Sequence, residues 1–138
     1  MVGRECTVVT VDVIVETEKG IVLVRRGREP FKGWWAIPGG IIEADEEVEE
    51  AAAREVLEET GLQISDLRLL GVYSKPGRDP RGRFISIAFL ARRVGGELRG
   101  GDDASRAREF ELGKIPKKMA FDHAEIIKDY LLLRERNG

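Results

Sequence analysis

Between Gly40 and Leu62 the chain reads GIIEADEEVEEAAAREVLEETGL, and its densest chemistry lies there. From Asp45 to Glu59 eight acids face a single base, Arg54, for a local net charge of −7. The run suits a helix from Asp45 to Thr60, with Asp45 as its N-cap and Gly61 as its left-handed terminator. At about 100° per residue, with Glu55 at zero, Glu58 falls near 300° and Glu59 near 40°, so the three carboxylates share one face. Ala53, Val56, Leu57 and Thr60 fall between about 100° and 200°, the side expected to pack on the core while the acids point outward. Glu58 and Glu59 also occupy the last turn, where the helix dipole favours cations and each acid costs roughly 0.3–1 kcal/mol. A hard divalent cation such as Mg²⁺ takes oxygen ligands, keeps some of its waters and would relieve that repulsion while leaving room for a phosphate oxygen. A solvated acidic face would carry the same charges, and charge alone does not separate the two.

Spacing does. Gly40 is followed after five residues by Glu46, and after seven more by Arg54-Glu55-Val56-Leu57-Glu58-Glu59-Thr60-Gly61-Leu62. With this composition, a chance match to such a constrained pattern anywhere in the chain has odds on the order of 10⁻⁵. The segment resembles the signature of the Nudix hydrolase family at every fixed position. The resemblance implies an α/β Nudix fold, a mixed β-sheet sandwiched between α-helices, with the signature folded as loop–helix–loop. It implies that Glu55, Glu58 and Glu59, helped by the backbone carbonyl of Gly40, bind Mg²⁺, with Mn²⁺ as a possible substitute. Arg54, near 260° on the wheel and beside Glu58, would orient the carboxylates through charge-assisted hydrogen bonds. Glu46 would brace the loop. The implied activity is hydrolysis of a nucleoside diphosphate linked to another group, in which a carboxylate takes the proton of the attacking water. Glu58 and Glu59 within the signature, and Asp79, Asp102 and Asp103 on later loops, are candidates for that base.

A second stretch, Ser74-Lys75-Pro76-Gly77-Arg78-Asp79-Pro80-Arg81-Gly82, is similar to the loop of the ADP-ribose pyrophosphatase branch, as is the placing of Pro76 fifteen residues after Gly61. Asp102-Asp103-Ala104 and Ala120-Phe121-Asp122-His123 resemble the same branch. The likeness implies a small nucleotide substrate, ADP-ribose, split into AMP and ribose 5-phosphate. Two alternatives stay open: removal of damaged nucleoside triphosphates, and a nucleotide-binding module without catalysis. Arg25, Arg78 and Arg83 are candidates to grip phosphate, because guanidinium matches its geometry. Trp34 is a candidate to stack on adenine, and His123, the single histidine, to touch substrate.

The elements that must position these groups are legible in outline. Residues 5–16 and 21–26 are rich in β-branched types and read as a hairpin closed by Glu18-Lys19-Gly20. Residues 34–37 read as a short strand, 67–74 and 84–91 as strands, 108–112 as another, and 122–136 as a closing helix. With 138 residues and no internal repeat or linker, the chain is expected to form a single domain, 1–138.

Composition excludes several classes. A net charge of −2 gives no field that would attract nucleic acid, and no apolar run reaches the length of a membrane span. Cys6 is alone, so no internal disulfide can form, and a cytoplasmic location is expected. The family resemblance also implies a homodimer. Charged residues make up 35% of the chain, with a single Asn and a single Gln, a thermophile-like composition. Calorimetry is therefore expected to place the melting midpoint above about 65 °C; a midpoint near 50 °C contradicts this.

Overall fold

Alternation along the first long strand, β1 (Val8–Glu16), decides the layering. Val11, Val13 and Val15 point to one side and Ile14 to the other, and all four are buried. Both faces of this central strand therefore need cover, and each receives a helix. The computed structural model describes residues 6–99 and 106–137, which leaves the candidate bases Asp102 and Asp103 outside the described residues.

After β1 come β2 (Ile21–Arg25), β3 (Trp35–Ala36) and β4 (Gly39–Ile41), then helix α1 (Val48–Thr60). Strands β5 (Leu62–Tyr73), β6 (Phe84–Gly96) and β7 (Ala107–Phe110) follow, then a 3-10 turn (Leu112–Lys114) and helix α2 (His123–Asn137). The sheet runs β3-β2-β1-β6-β5, with β4 also on β1 and β7 also on β2. Only β1 and β6 run parallel among the named strand pairs, which makes the sheet mixed. Ala51, Ala52 and Val56 of α1 pack with Val11, Val13, Val15 and Phe89 on one face. Ile126, Ile127 and Tyr130 of α2 pack with Ile14, Ile21, Leu23 and Leu90 on the other. This is the expected sheet between helices. None of the described helices is long and apolar enough to cross a membrane.

Several boundaries differ from the sequence expectation. Helix α1 starts at Val48 after Glu47, whose N–H donates to Glu50 at 2.8 Å, and not at Asp45. The reason lies just upstream: Glu43 N–H donates to Glu46 Oε1 at 2.9 Å, and the Glu46 carboxylate also receives Arg54, so the loop closes on itself before the helix begins. Gly61 ends α1 as expected, at φ 81° with its N–H on the Leu57 carbonyl. Strands β5 and β6 are longer than their apolar segments, because antiparallel pairing continues from Tyr73↔Ser86 out to Leu62↔Gly96 through three register shifts. Ladder hydrogen bonds, which leave no mark on hydropathy, carry the polar ends.

β1 changes partner along its length. Its first half pairs with β4, through Thr10↔Ile41, Val11↔Gly40 and Asp12↔Gly39, and its far end with β2, at Glu16↔Ile21. Beside that change of partner lies a cavity of about 780 Å³, with Val24, Ala36 and Gly39 among its walls.

Candidate active site

The acidic side of the cavity is built by α1 against β4. The helix buries Ala51, Ala52, Val56 and Thr60, whereas Leu57 is 42% exposed and Ala53 is exposed. Val56 and Thr60 pack as expected, and Glu58 and Glu59 are exposed as expected, but the packed arc is turned away from Leu57 and toward Glu55, which corrects the placing of Ala53, Leu57 and Glu55. Small side chains at Ala51 and Ala52 let this arc sit close to the sheet. The three carboxylates still share one stripe, but they are unequally covered. Glu55 keeps 14% of its side chain exposed and Glu58 keeps 59%. Glu59 has a water-accessible side toward the open cavity while protein crowds its carboxylate elsewhere.

Two glycines make this approach possible. A side chain at Gly39 would meet the backbone oxygen of Val11 at 2.0 Å, and one at Gly40 would lie 2.5 Å from the carboxyl carbon of Glu55. Gly39 N–H also donates to Glu59 Oε1 at 2.8 Å. Arg54 ties the cluster together. Its Nε and Nη2 each donate to Glu46 at 2.7 Å, Nη1 donates to Glu55 at 2.7 Å and to Glu58 at 3.3 Å, and Nη2 reaches the Ile41 carbonyl at 3.3 Å.

These contacts set the acidities. Hydrogen bonds from Arg54 hold the Glu46 carboxyl down at about 2. Its folded value lies below the ordinary 4.5, so the stability contributed by this pairing is complete above that value and is lost as pH falls from about 4.5 toward about 2. Glu46→Gln is expected to flatten the acid limb of a stability–pH curve across that window, measured by urea melts; a limb as steep as the parent's contradicts the pairing. Glu55 is raised, chiefly by burial, with Arg54 working against it. Burial pushes Glu59 up to about 7, opposed by the Gly39 N–H and reinforced by the charges of Glu55 and Asp12. A raised carboxylate of this kind is short of positive charge. Among the described residues no three His, Cys, Asp or Glu side chains already converge on one ion-sized point. Instead Glu55 rests on Arg54 and Glu59 on Gly39.

The same cavity also carries bases. Arg25, Arg26 and Arg28 leave the end of β2, and Arg81 comes from the loop between β5 and β6. Arg26 and Arg81 both lie over the Phe121 ring, at 4.9 and 5.4 Å from its centroid. Burial and then the Arg81 charge lower the pKa of Arg26, whose Nε donates to the Pro30 carbonyl at 2.6 Å. No salt bridge to Arg26 occurs among the described residues.

Of the residues singled out from sequence, Arg54, Gly40, Glu55, Glu58, Glu59, Arg25, Arg78 and His123 line the cavity. Arg83 and Trp34 are not part of that lining. Arg83 donates to the Ser74 carbonyl at 2.6 Å and closes the neck of its own loop, while Trp34 stacks edge-on against Phe31 at 5.4 Å. Arg78 is committed to Asp122 through two hydrogen bonds of 2.8 and 2.5 Å, tying the loop to the start of α2. His123 is 4% exposed and accepts the Ile37 N–H. Asp79 is locked by Arg81, whose backbone and side chain donate to it at 2.8 to 3.1 Å. Burial alone would raise Asp79, but those bonds hold it below the ordinary value, so it is a poor proton acceptor. Arg26, Arg81, Phe121 and Asp12 were missed. Adjacent arginines at 25 and 26 look alike in sequence and both line the cavity, but only Arg26 is half-buried against Phe121.

A mixed sheet between two helices, with a glutamate stripe on the helix that follows a Gly-Gly strand, defines a pyrophosphate-bond hydrolase of the Nudix type. The NUDIX domain model matches residues 7–130, and the chain belongs to that family. An ADP-ribose pyrophosphatase from Methanocaldococcus jannaschii is 54% identical over 130 residues, 94% of this chain and 75% of that protein. A bifunctional NMN adenylyltransferase/ADP ribose pyrophosphatase from Francisella tularensis, complexed with AMP and a Mn ion, superposes with a TM-score of 0.79 at 32% identity. It covers 96% of this chain, which spans only 43% of the Francisella chain. The NUDIX domain of Shewanella oneidensis NrtR, complexed with ADP ribose, gives a TM-score of 0.79 at 26% identity over 98% of this chain and 91% of that one.

Proposed function

We propose that this chain hydrolyses ADP-ribose to AMP and ribose 5-phosphate, with Mg²⁺ as the working ion. The observation that carries the reading is a single cavity whose lining joins carboxylates of α1 with arginines from the end of β2 and the β5–β6 loop. A diphosphate is the group that needs both, cations on one side and hydrogen-bonding guanidinium on the other. The similarity to an ADP-ribose pyrophosphatase and to an ADP-ribose complex supports that particular diphosphate. A cavity of about 780 Å³ also suits a nucleotide-sized ligand.

The donor set fits a hard divalent ion. Glu55, Glu58, Glu59 and the Gly40 carbonyl offer only oxygen, and the missing side chain at Gly40 leaves the space that a carboxylate and its ion would share. When bound, the ion neutralises diphosphate charge and makes an attacking water more acidic. The rest falls to the chain itself. Arg26 grips the substrate diphosphate, Arg54 keeps Glu55 and Glu58 aimed, and Glu59, fixed by the Gly39 N–H, accepts the water's proton. Water oxygen bonds to phosphorus, the bridging P–O bond breaks, and the leaving phosphate departs with the electron pair.

Turnover of a nucleotide panel with Mg²⁺, with Mn²⁺ and with chelator tests the reading. ADP-ribose should rank first and chelator should abolish release; preference for oxidised nucleoside triphosphates, or binding without turnover, overturns it. Arg26→Ala should lower kcat/KM for ADP-ribose about 10- to 100-fold, mostly through KM, as loss of one charge-assisted bond predicts. Arg83→Ala should stay close to the parent. A homodimer and a cytoplasmic location belong to the same proposal. Leu69 and Val72 on β5 are 61% and 58% exposed, apolar area that a second copy can cover, and light scattering would read twice the 15.4 kDa chain mass. The free, exposed Cys6 suits a reducing compartment.

A further inference from the structure

On the α2 face of the sheet, reaching into the cavity lining through Asp12 and His123, lies a buried polar chain that the hydrolytic chemistry does not use. Asp12, Ser86 and His123 are 7%, 0% and 4% exposed. Ser86 Oγ donates to Asp12 Oδ2. Asp12 Oδ1 stands 3.7 Å from His123 Nε2, and His123 Nδ1 accepts the Ile37 N–H at 3.0 Å. Accepting at Nδ1 places the proton of the neutral ring on Nε2, facing the Asp12 carboxylate. Burial favours that neutral form.

The segment held this way is the one that carries the glycines. From Trp35 to Gly40 it is clamped on both sides. On one side, Trp35 N–H donates to the Lys118 carbonyl at 3.0 Å, and Ala120 N–H to the Trp35 carbonyl at 2.7 Å. On the other, Val13 N–H donates to the Pro38 carbonyl at 2.8 Å, and β4 pairs with β1. Ile37 is 2% exposed, so its N–H has no water to turn to. His123 serves as the next rung after the backbone rungs from residues 118–120 end. Two residues on, Gly39 donates to Glu59 and Gly40 faces Glu55.

We infer that His123 is a positioning residue for the hydrolase site, holding the Ile37–Gly40 strip at the height where Gly39 and Gly40 meet the α1 carboxylates, with Asp12 and Ser86 fixing its ring. This rests on the reading of the cavity as a metal-dependent diphosphatase. It contrasts with the sequence-based expectation of a histidine that touches substrate.

The test uses the full chain carrying His123→Asn, His123→Gln or His123→Leu. Asn places an acceptor oxygen where Nδ1 stood; Gln reaches toward the Nε2 position, and Leu offers nothing. Steady-state kinetics, Mn²⁺ affinity by electron paramagnetic resonance, and amide exchange at Ile37 are measured on each. Asn should keep kcat within about threefold of the parent, while Gln and Leu lose about tenfold or more in kcat and in Mn²⁺ affinity at little-changed KM, the size expected for a group that orients ligands. Ile37 exchange should speed up in Gln and Leu only. A role confined to stability would lower the melting midpoints without that split. Equal losses in Asn and Leu, or full activity in a folded Leu variant, overturn the inference. If Leu does not fold, the comparison of Asn with Gln decides it. If the parent turns over no nucleotide with any ion, the diphosphatase reading fails, and Mn²⁺ affinity with Ile37 exchange still judges His123.

Discussion

Glu59→Gln is expected to lower kcat about 10³-fold while making the metal-free protein more stable. The two effects have separate causes. The carboxyl of Glu59 is pushed up to about 7 by burial, with Glu55 and Asp12 adding repulsion. Glu59 is the proposed base for the attacking water, and removal of such a base typically loses 10²–10⁴ in rate, so about 10³ is the central expectation. Lost charge for the ion adds to this. For stability the sign runs the other way. The folded value lies above the ordinary 4.5, so ionising Glu59 in the empty site works against folding as pH rises from about 4.5 through about 7, and the penalty persists above that. Gln removes the charge and keeps an oxygen for the Gly39 N–H. Calorimetry without metal at pH 8 should therefore show a higher midpoint than the parent, and kinetics with Mg²⁺ should show near-abolished turnover. The parallel substitution Glu58→Gln should also reduce turnover by orders of magnitude. If Glu58→Gln and Glu59→Gln both remain active, the assignment of this stripe to metal and catalysis is wrong.

The second large effect is expected from one added methyl group. Gly40→Ala would put its new carbon 2.5 Å from the Glu55 carboxyl carbon and 2.6 Å from both of its oxygens. Gly40 is not among the left-handed glycines, so alanine fits the backbone itself. The clash falls on the far end of a flexible side chain, which can swing away at little cost to folding. What it abandons is its place beside Arg54 and the Gly40 backbone. A melting midpoint within a few degrees of the parent should thus accompany a fall in kcat/KM and Mn²⁺ affinity of about 100-fold, at the upper end of the effect of disturbing a ligand's support. Gly39→Ala makes the contrast, because its added carbon meets the Val11 backbone oxygen at 2.0 Å, which cannot move aside, and that variant should fail to fold. Parent-like Mn²⁺ affinity in Gly40→Ala would remove Glu55 from the proposed ion site.

The arginines and the helix show how far the sequence could be read. The pattern from Gly40 to Leu62 identified the family without any coordinates, and helical geometry placed Glu55, Glu58 and Glu59 on one stripe. The same wheel placed Val56 and Thr60 in the packed arc correctly but missed Ala51 and Ala52. It counted Leu57 as core because leucine is apolar, whereas two alanines and the adjoining glycines let the helix roll toward the acids. Arg78 and Arg83 stood out as cations in a loop, yet one is spent on Asp122 and the other on a carbonyl, while Arg26 keeps its charge toward the cavity.

Local order along the chain determined the shared face of the three glutamates and the left-handed stop at Gly61, because periodicity and turn chemistry act over a few residues, while the motif spacing carried the family and, through that resemblance, the mixed sheet between helices. The tertiary structure alone decided how far each glutamate is covered, which of the described arginines are paired with carboxylates, and that His123 answers the Ile37 N–H from 86 positions away. Those depend on which distant groups share a low-dielectric space, and burial and charge pairing there are properties of the packed whole.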